Sequence, residues 1–99
     1  MRTIELLYFD GCPSWQQAWN ELGRALATAR TAATVRLVNV ADLPEPQRQG
    51  FAGSPTIRID GVDLEGYAGP PVLACRRYPE NEGRGWPSPE QLQHALQAT

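Results

Sequence analysis

The chain has 99 residues, with 9 Lys+Arg against 11 Asp+Glu and a net charge of −2, enough for one domain over residues 1–99 with a modest core. This balance offers no basic stripe for nucleic acid, and no run approaches the roughly 20 apolar residues of a membrane span. Residues 1–9 lack the charged start and cleavage site of a signal peptide, so the cytoplasm is the expected compartment, where two cysteines would rest as thiols rather than form a disulfide scaffold.

Residues 3–9 predict a strand whose nearly continuous apolar run, Ile4, Leu6, Leu7, Tyr8 and Phe9, suits the centre of a sheet covered on both faces. Pro13 can occupy the first turn of a following helix, and Trp15, Ala18, Trp19, Leu22, Ala25, Leu26 and Ala29 then trace one apolar face over about four turns. Thr34 to Val40 predicts a second strand, parallel to the first through a right-handed crossover. From Ala41 to Ser54 the pattern weakens, because Pro44 and Pro46 limit any helix to a turn or two around Glu45–Gln49. Gly53 to Leu64 predicts a β-hairpin about Asp60-Gly61. Residues 65–87 are rich in Gly and Pro and longer than an ordinary connection, which points to a functional or mobile segment. Ser88-Pro89-Glu90-Gln91 then reads as an N-cap, a proline at the first helical position and a capping-box glutamine, opening a helix with Leu92, Ala95 and Leu96 inward. The predicted order is β-α-β-(α)-β-β-α, an α/β fold with a central four-stranded mixed sheet flanked by helices.

Cys12 stands where the first strand ends and the first helix begins. The free N–H groups and positive dipole end of a helix favour thiolate over thiol, and can lower a pKa of about 8.5 into the range of roughly 3.5–7.5. The alternative for Cys12 is a small buried core residue.

The element order resembles the thioredoxin fold, and two places carry the resemblance in residues: Phe9-Asp10-Gly11-Cys12-Pro13-Ser14-Trp15 and Gly53-Ser54-Pro55-Thr56. The strings YFDGCPSW, GSPTIRIDG and CRRY together look like a family of small bacterial thioredoxin-like proteins, some labelled alkylmercury-lyase-like. The resemblance implies that Cys12 is the nucleophile and that Pro55, beside it at the start of the third strand, follows a cis bond. A cis X–Pro bond costs only about 0.5–1 kcal/mol relative to trans, so its surroundings can hold it. Pro55 could otherwise be an ordinary turn proline.

The sequence departs from Cys-x-x-Cys, because the third residue after Cys12 is Trp15. Two cycles remain open: a monothiol cycle completed by glutathione or another small thiol, or resolution by the distant Cys75. The predicted topology brings the chain out of the hairpin on the Cys12 side, so the segment with Tyr67, Cys75, Arg76, Arg77 and Tyr78 can fold over it. Cys75 could equally plug the edge of the core. Arg76 and Arg77 would supply a positive field for an anionic thiol, or be merely solvated. Trp15 and Ser54 complete the candidate substrate site, although Trp15 could simply cover the sheet.

The expected function is therefore a thiol–disulfide oxidoreductase, or thiol reductase, acting on a small thiol or a disulfide-containing substrate. No bound cofactor is expected; glutathione or a similar thiol would be the reductant, and the chain would be a monomer or weak homodimer. One rival is a soft-metal protein holding Hg²⁺, Cu⁺ or arsenite between Cys12 and Cys75, although no structural zinc spacing is present. The other is an inert interaction module with Trp15 or Tyr67 as surface anchors.

Overall fold

The computed structural model describes residues 2–97. Strand β1 (Arg2–Tyr8) carries the predicted apolar run and is an inner strand of a four-stranded mixed sheet of order β2-β1-β3-β4, with β2 at Ala33–Asn39, β3 at Thr56–Ile59 and β4 at Val62–Asp63. β2 runs parallel to β1, pairing Val35 with Ile4, whereas β3 is antiparallel and pairs Ile59 with Ile4 and Ile57 with Leu6. The parallel step is made by helix α1 (Ser14–Ala29), which stops at Arg30 in the left-handed conformation, φ 51°. The β3–β4 hairpin turns at Asp60 and Gly61, both with positive φ (52° and 84°), as a two-residue turn matched to strand twist requires.

Alternation along β1 divides the interior. Ile4 and Leu6 meet Ala18, Leu22 and Ala25 of α1 and Leu92 and Leu96 of α2 (Pro89–Gln97), while Leu7 on the other face meets Val40 and Phe51. Both helices thus lie on one face of the sheet, tied also by the Gln93 side-chain amide donating to the Ala25 carbonyl at 3.2 Å. The expected four-stranded mixed sheet with packed helices is present, and both of its α-helices share one face. The segment with Pro44 and Pro46 forms only 3₁₀ turns at Val40–Asp42 and Glu45–Arg48, so Phe51, Val40 and Leu43 close the second face instead.

Two local expectations also change. β4 ends after two residues because the Asp63 carboxylate accepts the N–H groups of Glu65 (2.9 Å) and Tyr67 (3.2 Å), bending the chain off the sheet. At the start of α2 the Ser88 hydroxyl accepts the Gln91 N–H at 3.0 Å, but the Gln91 side chain does not complete a capping box; its amide donates to Glu65 at 3.3 Å. Among the described residues, no helix is long and apolar enough to cross a membrane.

Candidate functional site

The site is assembled where three stretches of backbone meet at the start of α1. The first is the turn after β1. Gly11, φ 100°, reverses the chain so that Cys12 arrives beneath the sheet's end, only 2% exposed, and Pro13 already has helical angles (φ −65°, ψ −18°). Among the described residues no side chain caps this helix, and its first turn contains no acidic residue. Its N-terminal dipole is therefore not offset locally and is available to a negative sulfur.

The second stretch is residues 50–56. The Ser54–Pro55 bond is cis, and Ser54 is fully buried. Its hydroxyl accepts the Phe9 N–H at 3.3 Å, which ties this loop to the chain leaving β1. Thr56 closes the loop on itself, accepting the Ala52 N–H at 3.0 Å and donating to the Gly53 carbonyl at 2.6 Å.

The third stretch comes from the Gly/Pro-rich segment. Residues 69–76 run alongside 50–54 in the same direction, joined by Gly50 N–H to Gly69 O (2.8 Å), Val72 N–H to Phe51 O (2.8 Å), Ser54 N–H to Ala74 O (2.9 Å) and Arg76 N–H to Ser54 O (2.9 Å). This strap sets Cys75 opposite Ser54. It also explains Gly53: a Cβ there would lie 2.8 Å from the Ala74 carbonyl oxygen, in a backbone at φ 106°.

Cys75 is thereby brought to Cys12 across 63 positions of sequence, with a Cα–Cα separation of 6.0 Å, and the two are joined in a disulfide. Resting thiols were expected; the bonded pair is the state in this structure. The two cysteines sit in different surroundings, because Cys12 is buried whereas Cys75 is an exposed residue that lines a surface cleft with Tyr67 and Arg77.

A buried charge network anchors the strap just beyond Cys75. Arg76 forms a two-pronged pair with Asp63 (2.6 and 2.9 Å) and reaches Glu65 at 3.1 Å, with only 6% of its side chain and 1% of Asp63's exposed. Burial by itself would favour the neutral forms of both groups. The mutual hydrogen bonds and charge outweigh it, holding the Asp63 carboxyl below its usual range and the Arg76 guanidinium firmly protonated. Arg76 also lies over the Tyr78 ring at 4.6 Å, and the Tyr78 hydroxyl donates to the Pro55 carbonyl at 2.6 Å. Burial keeps that phenol above its ordinary range, so it stays a donor.

The structure thus brings Cys12, Ser54, Pro55 and Cys75 together. Arg76 departs from the expected field for an anionic thiol, because Asp63 and Glu65 already engage its guanidinium. Arg77 is exposed beside the cleft, one guanidinium N–H on the Gly83 carbonyl at 3.2 Å. Trp15 stacks on Tyr8 with ring centres 4.4 Å apart and packs against the helix-side core, so its visible role is to cover the sheet. Asp63 and Glu65 are parts of the site that no motif in the sequence singles out, and Tyr78, in the segment expected to fold over Cys12, serves the site through Pro55 and Arg76. The signal was there in Asp63-Leu64-Glu65, two acids at a hairpin's exit with an Arg pair to follow. For a metal, reduced Cys12 and Cys75 would offer two sulfurs, and among the described residues no group of three or more His, Cys, Asp or Glu side chains converges to add a third ligand. In comparisons with known proteins, the chain matches no protein-family model, no curated protein and no solved structure.

Proposed function

We propose that this is a thioredoxin-like thiol–disulfide oxidoreductase whose redox centre is the Cys12–Cys75 pair. The observation that carries the reading is the meeting of two cysteines, 63 positions apart, at an uncapped helix start beside a cis proline. Sheet order β2-β1-β3-β4, with β1 and β2 parallel and the hairpin antiparallel, supports the fold assignment. In the cycle, two substrate thiols pass two electrons to the disulfide and leave as a substrate disulfide, and the reverse run reduces a disulfide. The helix start stabilises whichever anion forms at Cys12. Pro55 and Ser54 hold the strap so that the sulfurs re-pair, and glutathione or a similar thiol exchanges with the pair from outside.

The test is turnover of a small disulfide such as hydroxyethyl disulfide with glutathione as donor. The wild type should accelerate the exchange, and the Cys12→Ser/Cys75→Ser double variant should lose that acceleration, because no protein thiolate remains to enter the exchange. A wild type no faster than glutathione alone, or a Cys12→Ser/Cys75→Ser double variant with full activity, overturns the proposal.

A further inference from the structure

Within that redox reading, we infer that Cys75, rather than Cys12, is the sulfur that exchanges with substrate. The sequence points to Cys12, since its place at a helix start is where a reactive thiolate is looked for. The geometry of the bonded pair assigns the roles the other way. Thiol–disulfide exchange is an in-line displacement, so the incoming sulfur approaches one sulfur from the side opposite its partner. Attack on Cys12 would have to come from the protein side, because Cys12 is 2% exposed and its neighbours are the end of β1 and the start of α1. Attack on Cys75 can come from solvent, because Cys75 is exposed on a cleft of about 550 Å³ lined by Ala52, Glu65, Tyr67, Cys75, Arg76 and Arg77.

Leaving-group chemistry points the same way. Exchange is faster when the departing thiol has the lower pKa, and the departing sulfur is then Cys12 at an uncapped helix start with no acid in its first turn. The steps balance. A substrate thiolate bonds to the Cys75 sulfur, the Cys12–Cys75 bond breaks, and its electron pair leaves on Cys12 as a thiolate. A second substrate thiolate then attacks the substrate sulfur of the mixed disulfide and releases the Cys75 thiolate and a substrate disulfide. Two electrons pass to the protein, and the protons of the two substrate thiols pass to solvent or to the released sulfurs. Run backwards, Cys75 attacks a substrate disulfide and Cys12 resolves it. The helix start thus serves the resolving and leaving sulfur, and the strap carries the attacking one.

Oxidised wild type would be mixed with glutathione, quenched in acid at short times, alkylated with N-ethylmaleimide and mapped by peptide mass spectrometry. Glutathione should be found on Cys75, with maleimide on Cys12, in at least about tenfold excess over the opposite pattern. The opposite pattern, or equal amounts, overturns the assignment while leaving the redox proposal in place. A disulfide that glutathione opens at neither sulfur defeats both. As a second readout on the folded single-cysteine variants, oxidised glutathione should modify Cys75 in Cys12→Ser faster than Cys12 in Cys75→Ser; the reverse order overturns the assignment.

Discussion

Replacing Arg76 by Met isolates the energetic role of the network that anchors the strap. Arg76→Met keeps the length of the stem but removes the guanidinium from a carboxylate whose side chain is 1% exposed. Removing one member of such a buried pair typically costs about 3–5 kcal/mol, because the remaining charge has neither water nor a counter-ion. Asp63 keeps the N–H groups of Glu65 and Tyr67 at 2.9 and 3.2 Å, which places the expected loss near the lower end, about 3 kcal/mol at pH 7. The loss should depend on pH with a definite sign. In the wild type burial alone would raise the carboxyl of Asp63, but the Arg76 guanidinium and the two N–H groups hold it below the ordinary aspartate value of 3.8, so its stabilisation is complete above that value and declines as pH falls through the lower folded value. In the variant, burial acts without the guanidinium and raises the carboxyl, so its penalty is full at neutral pH and relaxes on acidification. The two stabilities should therefore converge toward pH 3. Urea unfolding of the oxidised proteins, followed by the fluorescence of Trp15, Trp19 and Trp86, measures both differences. A loss under about 1 kcal/mol at pH 7, or a loss equal at pH 7 and pH 3, would refute the buried-pair account. Adding Asp63→Asn to the variant should restore part of the loss, since an amide needs no counter-ion.

Two further outcomes follow from the strap. Reducing the disulfide frees a loop of 63 positions in the unfolded chain, and the chain-entropy relation gives a stability loss of up to about 4 kcal/mol, read from urea midpoints with and without a phosphine reductant; a shift under about 1 kcal/mol would contradict it. Gly53→Ala should destabilise by about 1–3 kcal/mol and exceed Gly61→Ala, since a Cβ at Gly53 meets the Ala74 carbonyl at 2.8 Å whereas at Gly61 it meets nothing within 4 Å; equal losses would remove the close-approach argument.

Much of the frame is legible in the sequence because it is encoded locally. The apolar run of β1, the spacing of Ala18, Leu22 and Ala25, the Asp60-Gly61 turn and the Ser88 cap each act within a few residues, and each element lies where its pattern predicts. Topology also permitted the return of the 65–87 segment to Cys12. The use of Arg76 was not legible, because an arginine pair in an irregular segment looks solvated until the hairpin exit supplies Asp63. The same is true of Gln91, whose reach to Glu65 depends on how the strap leaves the sheet. The one-sided placement of the helices follows from two prolines whose effect is readable, but what replaces the missing helix, Phe51, is fixed only by tertiary packing. Exposure decides the inferred roles of the two sulfurs, and it belongs to the folded surface rather than to any motif.

The Cys12–Cys75 bond also changes how the molecule would bear load. Tension applied at residues 2 and 97 would enter through β1, cross the bond and leave through the strap toward α2, bypassing the chain between the cysteines. Those 63 positions represent roughly 210–230 Å of extensible contour that stays slack while the bond holds. Reduction would release that length to the pull, turning a short tether into a long one without any change in sequence or partner.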